Sequence, residues 1–134
     1  MSDLHAVINK HVGRPWSAQG FDCWAFLRAV YSEAYGILLP VLPMVDGVGH
    51  RASARAAAEA QASGDWTQIE APTTGAAILM GKRERPHHCG VWLADAGGIV
   101  AHCDQAGGVR CESMRHLMAL GWGSFTYYRH RLRP

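Results

Sequence analysis

The sequence has no long apolar run. None of its 134 residues fall in a stretch that could span a bilayer. The first ten residues are polar and acidic in part, and they lack the apolar centre of a secretory signal peptide. We therefore expect a soluble protein that is synthesised in the cytoplasm. If it acts outside the cell, another component must deliver it.

Charged residues are also few, at 18% of the chain, and the formal net charge is only +2. This charge is too small to indicate a nucleic-acid groove, and we interpret the basic residues near the C-terminus as a solvated terminal strand. Apolar residues make up 49% of the chain, with no internal repeat or low-complexity tract. The sequence predicts a single domain over residues 1–134, large enough to bury its own core.

The paired C-x-x-C motif of zinc knuckles is absent from the four cysteines. Without a secretory signal, the cysteines are expected to be thiols rather than disulfides. One metal hypothesis stays open, because His87, Cys89, Cys103 and Cys111 all have odd numbers and could line one face of a sheet. Buried thiols on an apolar sheet face are the commoner arrangement. We therefore predict no metal and no cofactor.

One segment combines a turn with an apolar helix that begins at a cysteine. Asp22 is a good N-cap residue, and Gly36 followed by Pro40 supplies the signals that end a helix. Between them, apolar side chains recur at helical spacing and predict one buried stripe. Its members are Trp24, Leu27, Tyr31 and Ala34, with Val30 beside them.

Cys23 is the first residue of this predicted helix. Free N–H groups at a helix N-terminus stabilise a thiolate, which is the nucleophilic form of cysteine. A single cysteine more often fills core space. Its position directly after a cap favours a nucleophilic role, provided that a base lies nearby.

Short apolar runs separated by turn residues begin after Gly75, a pattern typical of an antiparallel sheet. Helices are expected over residues 3–12 and 51–62, with a loop over residues 38–49, and a short helix capped by Ser113 should run to Leu120. Because helices precede the sheet, we predict an α+β fold. The predicted strands are Ala76–Met80, His88–Leu93, Ile99–Cys103, Val109–Cys111 and Phe125–Arg131.

Two histidines on neighbouring predicted strands are candidates for the base. Side chains alternate along a strand, so His88 and Gly90 share one face, and His102 shares that face only if the connecting loop has an odd number of residues. We predict the odd loop. His88 could then take the proton of Cys23, while His102 fixes its tautomer. His87 is a weaker competitor, expected to be exposed at the strand edge.

With these residues identified, the chain resembles the NlpC-like cell-wall cysteine peptidases, in particular their phage and prophage tail-associated branch. The resemblance covers most of the chain. It rests on Phe21-Asp22-Cys23-Trp24 with the helix that follows, on the strand from Gly75 to Met80, on His88-Cys89-Gly90-Val91-Trp92-Leu93, and on Ile99-Val100-Ala101-His102.

The resemblance implies a papain-like α+β core that cleaves amide bonds in peptidoglycan stem peptides, next to a D-amino acid. It implies Cys23 as nucleophile, His88 as base and then acid, and His102 as the third polar residue. The backbone N–H of Cys23 would serve as an oxyanion donor. Trp16 occupies the region where related proteins often have a tyrosine. Asp22, Trp24 and Gly90 complete the predicted substrate or oxyanion region.

The resemblance also implies partners and a location: peptidoglycan stem peptides, other phage tail proteins, and a place on the virion or at the cell wall. Two alternatives remain. The same fold could be a structural or assembly component of a tail without turnover, or an amidase or acyltransferase with another substrate.

Overall fold

A computed structural model describes residues 3–41, 58–82, 85–94 and 97–133, without the side chains of residues 85 and 86. The helices with both ends among these residues are α1 (Leu4–His11), α2 (Cys23–Tyr35) and α3 (Met114–Ala119). The strands are β1 (Trp66–Ile69), β2 (Ala77–Lys82), β3 (Arg85–Leu93), β4 (Ile99–Asp104), β5 (Gly108–Ser113) and β6 (Gly123–His130).

The six strands form one antiparallel sheet in the order β1-β6-β2-β3-β4-β5. Helix α2 packs against β3 and β4, and α1 packs against α2. The predicted α+β class is confirmed. Within the described ranges, no helix has the length and apolar character needed to cross a membrane.

Helix α2 has the ends that its sequence predicts. The Asp22 side chain accepts a hydrogen bond from the Ala25 N–H at the start. At the end, Gly36 adopts the left-handed conformation, with φ 68°, and its N–H donates to the carbonyls of Tyr31 and Ser32. The whole predicted apolar stripe is buried, and so is Phe26, which the stripe did not include.

Alternation along the central strands divides the buried side chains into two clusters. The first cluster lies between the sheet and helices α1 and α2, and it includes Cys23, Cys89 and Cys103. The second cluster contains Ile78, Met80, Val100 and Leu117, the last from α3. The sheet is thus covered on both faces, which explains why its central strands read as nearly continuous apolar runs.

Five of the six strands described occupy predicted positions, with ends that differ by at most three residues. The prediction missed β1, a four-residue edge strand whose central residues, Thr67 and Gln68, are exposed. Helix α3 and its Ser113 cap are confirmed. Residues 58–62 of the predicted 51–62 helix are helical, and the remainder lies outside the described residues. The 38–49 loop is described only to residue 41, without helix or strand.

Candidate active site

The pairing of β3 with β4 brings the two predicted histidines together. Gly90 lies opposite His102, and residues 94–98 connect the strands, so the predicted odd loop is confirmed. His88 Nε2 lies 2.9 Å from His102 Nδ1, with the two rings nearly perpendicular at 88°. One of these nitrogens donates and the other accepts, so the pair is held in a fixed orientation.

Both rings are buried, and this changes their protonation. His88 is 2% exposed and stacks on Trp122, with ring centroids 4.8 Å apart. Burial lowers the pKa of His88 well below its usual range, and neighbouring cationic groups add to the shift. Burial also lowers the pKa of His102, although the carboxylates of Asp104 and Glu112 oppose that change. Both imidazoles are therefore neutral at neutral pH, and a neutral imidazole can accept a proton.

The site contains two charged residues that the sequence analysis did not select. Glu112 on β5 is buried, with Oε2 3.5 Å from His102 Nε2 and Oε1 2.5 Å from Arg110 Nε. Arg110 also donates to Asp104 at 2.7 Å. The sequence offered one signal for these two residues, the alternation of side chains along a strand. Arg110 lies opposite His102 and Glu112 opposite Val100, so both share the face of His102. The predicted strand ended at Cys111, two residues before the end of β5, and so left out Glu112.

Cys23 lies at the N-terminus of α2, as predicted, and is only 1% exposed. The thiol of Cys103 contacts the Phe21 carbonyl oxygen at 3.7 Å, and Cys103 and Cys23 interact electrostatically. Cys103 directly follows His102 in β4. The start of α2 is thus close to the end of β4 that carries His102. Cys23 packs in the first cluster with Cys89 and Cys103. Because side chains alternate along a strand, His88 and His102 lie on the other face of the sheet, with Met80 and Val100 of the second cluster.

Gly90 serves a different purpose from the one predicted. The sequence suggested that it leaves room for a substrate backbone or for the facing helix. A Cβ atom there would lie 2.6 Å from the Ala101 carbonyl oxygen and 3.1 Å from His102 Cβ. The space is occupied by β4, so Gly90 permits close approach of the strand that carries His102.

The two tryptophans of the predicted substrate region have structural contacts. The indole N–H of Trp24 donates to the Pro40 carbonyl at 2.7 Å, which ties the chain after α2 back to the helix. Trp16 is partly buried and packs against the first cluster. Asp22 caps α2. Any contribution of these residues to substrate binding stays a prediction.

The prediction that His87 is exposed is wrong. His87 is 4% exposed, and its ring lies 5.3 Å from Trp122. The cause is a bulge in the β2–β3 pairing: Met80 lies opposite His88 and Gly81 opposite Pro86, so His87 is the extra residue.

The cysteines of the zinc hypothesis have different environments. Cys89 and Cys103 are buried in the first cluster, whereas Cys111 is exposed on β5. Burial raises the pKa of Cys103 to about 12. In the described part of the chain, no group of three or more His, Cys, Asp or Glu residues is arranged to hold a metal ion.

Comparison with known proteins identifies the family and the fold. Residues 12–121 match the NlpC/P60 family. The chain belongs to this family. Among solved structures, the NlpC/p60 domain of the peptidoglycan hydrolase SagA superposes with a TM-score of 0.58 at 19% identity, covering 92% of this chain and 94% of that one. The NlpC/P60 α+β fold is therefore shown. No curated protein matches the chain.

Proposed function

We propose that this NlpC/P60 domain is a cysteine peptidase that hydrolyses stem peptides of peptidoglycan, at an amide bond next to a D-amino acid. The observation that carries the proposal is the bonded His88–His102 pair on β3 and β4, since α2, which begins with Cys23, packs against these two strands. Membership of the family supports the class of enzyme, and the similar SagA domain comes from a peptidoglycan hydrolase.

In the proposed reaction, His88 accepts the Cys23 proton, and the thiolate attacks the carbonyl carbon of the scissile amide. The backbone N–H of Cys23, at the start of α2, donates to the oxyanion. The tetrahedral intermediate collapses when the imidazolium of His88 gives its proton to the leaving amine. Water, deprotonated by His88, then attacks the thioester and releases the acid and the free thiol.

The test is digestion of purified muropeptides by the full chain, with mass spectrometry of the products. Hydrolysis yields two fragments whose masses sum to that of the substrate plus one water, and the fragment masses identify the bond. Cys23→Ala should abolish cleavage with little change in the melting temperature. Cys111→Ala is the matched control, because it removes an exposed thiol whose side chain alternates with those of Arg110 and Glu112 along β5. Retained cleavage by Cys23→Ala would refute the mechanism.

A second candidate function is a non-catalytic structural component on the same fold. The observation that favours it is burial, since Cys23 is 1% and His88 2% exposed. A substrate can reach the thiol only if the groups above it move. Absence of muropeptide products, together with an unreactive Cys23, would support this candidate. Cleavage of other amides, or acyl transfer to an added amine, would identify an amidase or acyltransferase instead.

We also propose that the protein acts at the cell wall and is assembled with a phage or prophage tail. The support is the sequence resemblance to the tail-associated branch of the family. Proteomic analysis of purified phage particles tests this point. Detection of the chain in particles at the stoichiometry of other tail proteins supports it, and its absence from particles that are otherwise complete contradicts it.

A further inference from the structure

Glu112 is a buried carboxylate for which the proposed reaction has so far no use. It is 6% exposed and lies on β5, an edge strand of the sheet. Burying a carboxylate is costly unless charged or hydrogen-bonding partners compensate. Arg110 provides one partner through Oε1, and Oε2 faces His102 Nε2 at 3.5 Å.

Glu112 Oε2 and His102 Nε2 depend on each other for a hydrogen-bond partner. Neither Glu112 Oε2 nor His102 Nε2 has a hydrogen-bond partner of good geometry among the described residues, and both atoms are buried. Each is therefore the partner available to the other. Arg110, which is shared with Asp104, holds the carboxylate in place.

We infer that Glu112 is a positioning residue that sets the tautomers of both histidines. An ionised carboxylate can only accept, so the proton of neutral His102 lies on Nε2. His102 Nδ1 then carries a lone pair, and the proton in the 2.9 Å contact must come from His88 Nε2. This leaves His88 Nδ1 unprotonated, which is the form that a general base requires.

The surroundings are consistent with two neutral rings. The cationic groups that act on His88 are Lys82 and Arg110, together with the neighbouring histidines, and burial is the largest influence on its pKa. Around His102, the cation of Arg110 opposes the anions Asp104 and Glu112. The catalytic consequence rests on the proposed function, whereas the tautomer assignment does not.

The experiment is ¹⁵N NMR of the imidazole rings in the full-length protein at neutral pH, where two-bond couplings identify the protonated nitrogen of each ring. We expect the Nε2–H tautomer for both His88 and His102. In Glu112→Gln, the side-chain amide can donate to His102 Nε2, so the proton should move to Nδ1 in at least part of the molecules. His88 should then lose its fixed tautomer as well.

Two further variants test whether Glu112 acts by accepting a hydrogen bond from His102 or only through its negative charge. Glu112→Asp keeps a carboxylate and should restore the wild-type tautomers at least in part. Asp104→Asn removes the other carboxylate bound to Arg110 and should leave both rings in the Nε2–H form. If muropeptide cleavage is observed, Glu112→Gln should lower kcat roughly 10-fold or more with little change in KM.

A Nδ1–H tautomer of His102 in the wild-type protein would overturn the inference, and so would unchanged tautomers in Glu112→Gln. If Glu112→Gln does not fold, the wild-type spectrum and Glu112→Asp decide. If the tautomers are as expected but the protein has no hydrolytic activity, the inference stands and the proposed function is refuted.

Discussion

Gly90 and His102 face each other across β3 and β4 at a separation that admits no side chain on the glycine. An added Cβ would meet the Ala101 carbonyl oxygen at 2.6 Å and Val100 Cγ1 at 2.9 Å. Both contacts are shorter than van der Waals separation, and backbone atoms cannot move aside cheaply. The position of the third polar residue therefore depends on a glycine two residues after the proposed base.

We predict that Gly90→Ala destabilises the protein and displaces His102. Overpacking of a well-packed site costs about 1–3 kcal/mol, and the strand must shift to relieve it. Chemical denaturation measures the loss of stability, and the ¹⁵N resonances of the histidine rings report the displacement.

Gly123→Ala is the matched control for this change. Gly123 is also a strand glycine, but nothing lies within 4 Å of a Cβ built on it. Equal destabilisation by the two substitutions would show that the cost arises from general strand effects rather than from the contact with β4.

The cap of α2 should make a measurable contribution to stability. The Asp22 carboxylate accepts from the Ala25 N–H at 2.9 Å. Loss of an N-cap typically costs about 1 kcal/mol, so Asp22→Ala should lower the free energy of unfolding by that order. Asp22→Ser retains a capping oxygen and should recover most of it. Urea denaturation of both variants tests this, and equal losses would argue against the cap.

The sequence predicts the histidine pair because the alternation of side chains along β3 and β4 is enough to place both rings on one face. Once the loop is odd, His88, Gly90 and His102 must share one face of the sheet. His87 was misplaced because alternation fails at a bulge, and nothing local marks the bulge between Met80 and Gly81. The pairing of β3 with β2, which the local sequence does not reveal, decides whether His87 is buried or exposed.

Glu112 was missed for a related reason. A carboxylate after an apolar run indicates the end of a strand, since carboxylates are seldom buried. Here Arg110 and His102 make its burial tolerable, and both contacts depend on the register of β5 with β4. Strand β1 likewise depends on tertiary pairing with β6, because four residues with an exposed centre carry little pattern of their own.

Thiol labelling should distinguish Cys23 from the other cysteines. A thiolate at a helix N-terminus near a base reacts faster than an ordinary thiol. Burial raises the pKa of the Cys111 thiol, which lowers its thiolate fraction despite its exposure. We expect iodoacetamide at pH 7 to modify Cys23 before Cys111, as read by peptide mass spectrometry.

His88→Ala serves as the control for this labelling, because it removes the proposed base and should slow modification of Cys23 while leaving Cys111 unaffected. If Cys111 is modified first in the wild-type protein, Cys23 is a core residue, and the non-catalytic candidate gains support.

Burial of His88 and His102 predicts that stability falls in mild acid. The pKa of each ring is lower in the folded protein than the usual value of about 6.5 in the unfolded chain. Below about pH 6.5 the unfolded state binds protons that the folded state does not, so folding stability decreases as pH falls. Each such group contributes a slope of up to about 1.4 kcal/mol per pH unit. The slope ends when the pH reaches the folded-state pKa.

Urea denaturation of wild-type and His88→Gln protein between pH 5 and 7.5 measures this effect. The variant lacks one titrating group, so its stability should depend less steeply on pH below about 6.5, whatever its stability at pH 7.5. His116→Gln replaces an exposed imidazole and is the matched control for the substitution. If His88→Gln and the wild type have the same slope, folding does not lower the pKa of His88.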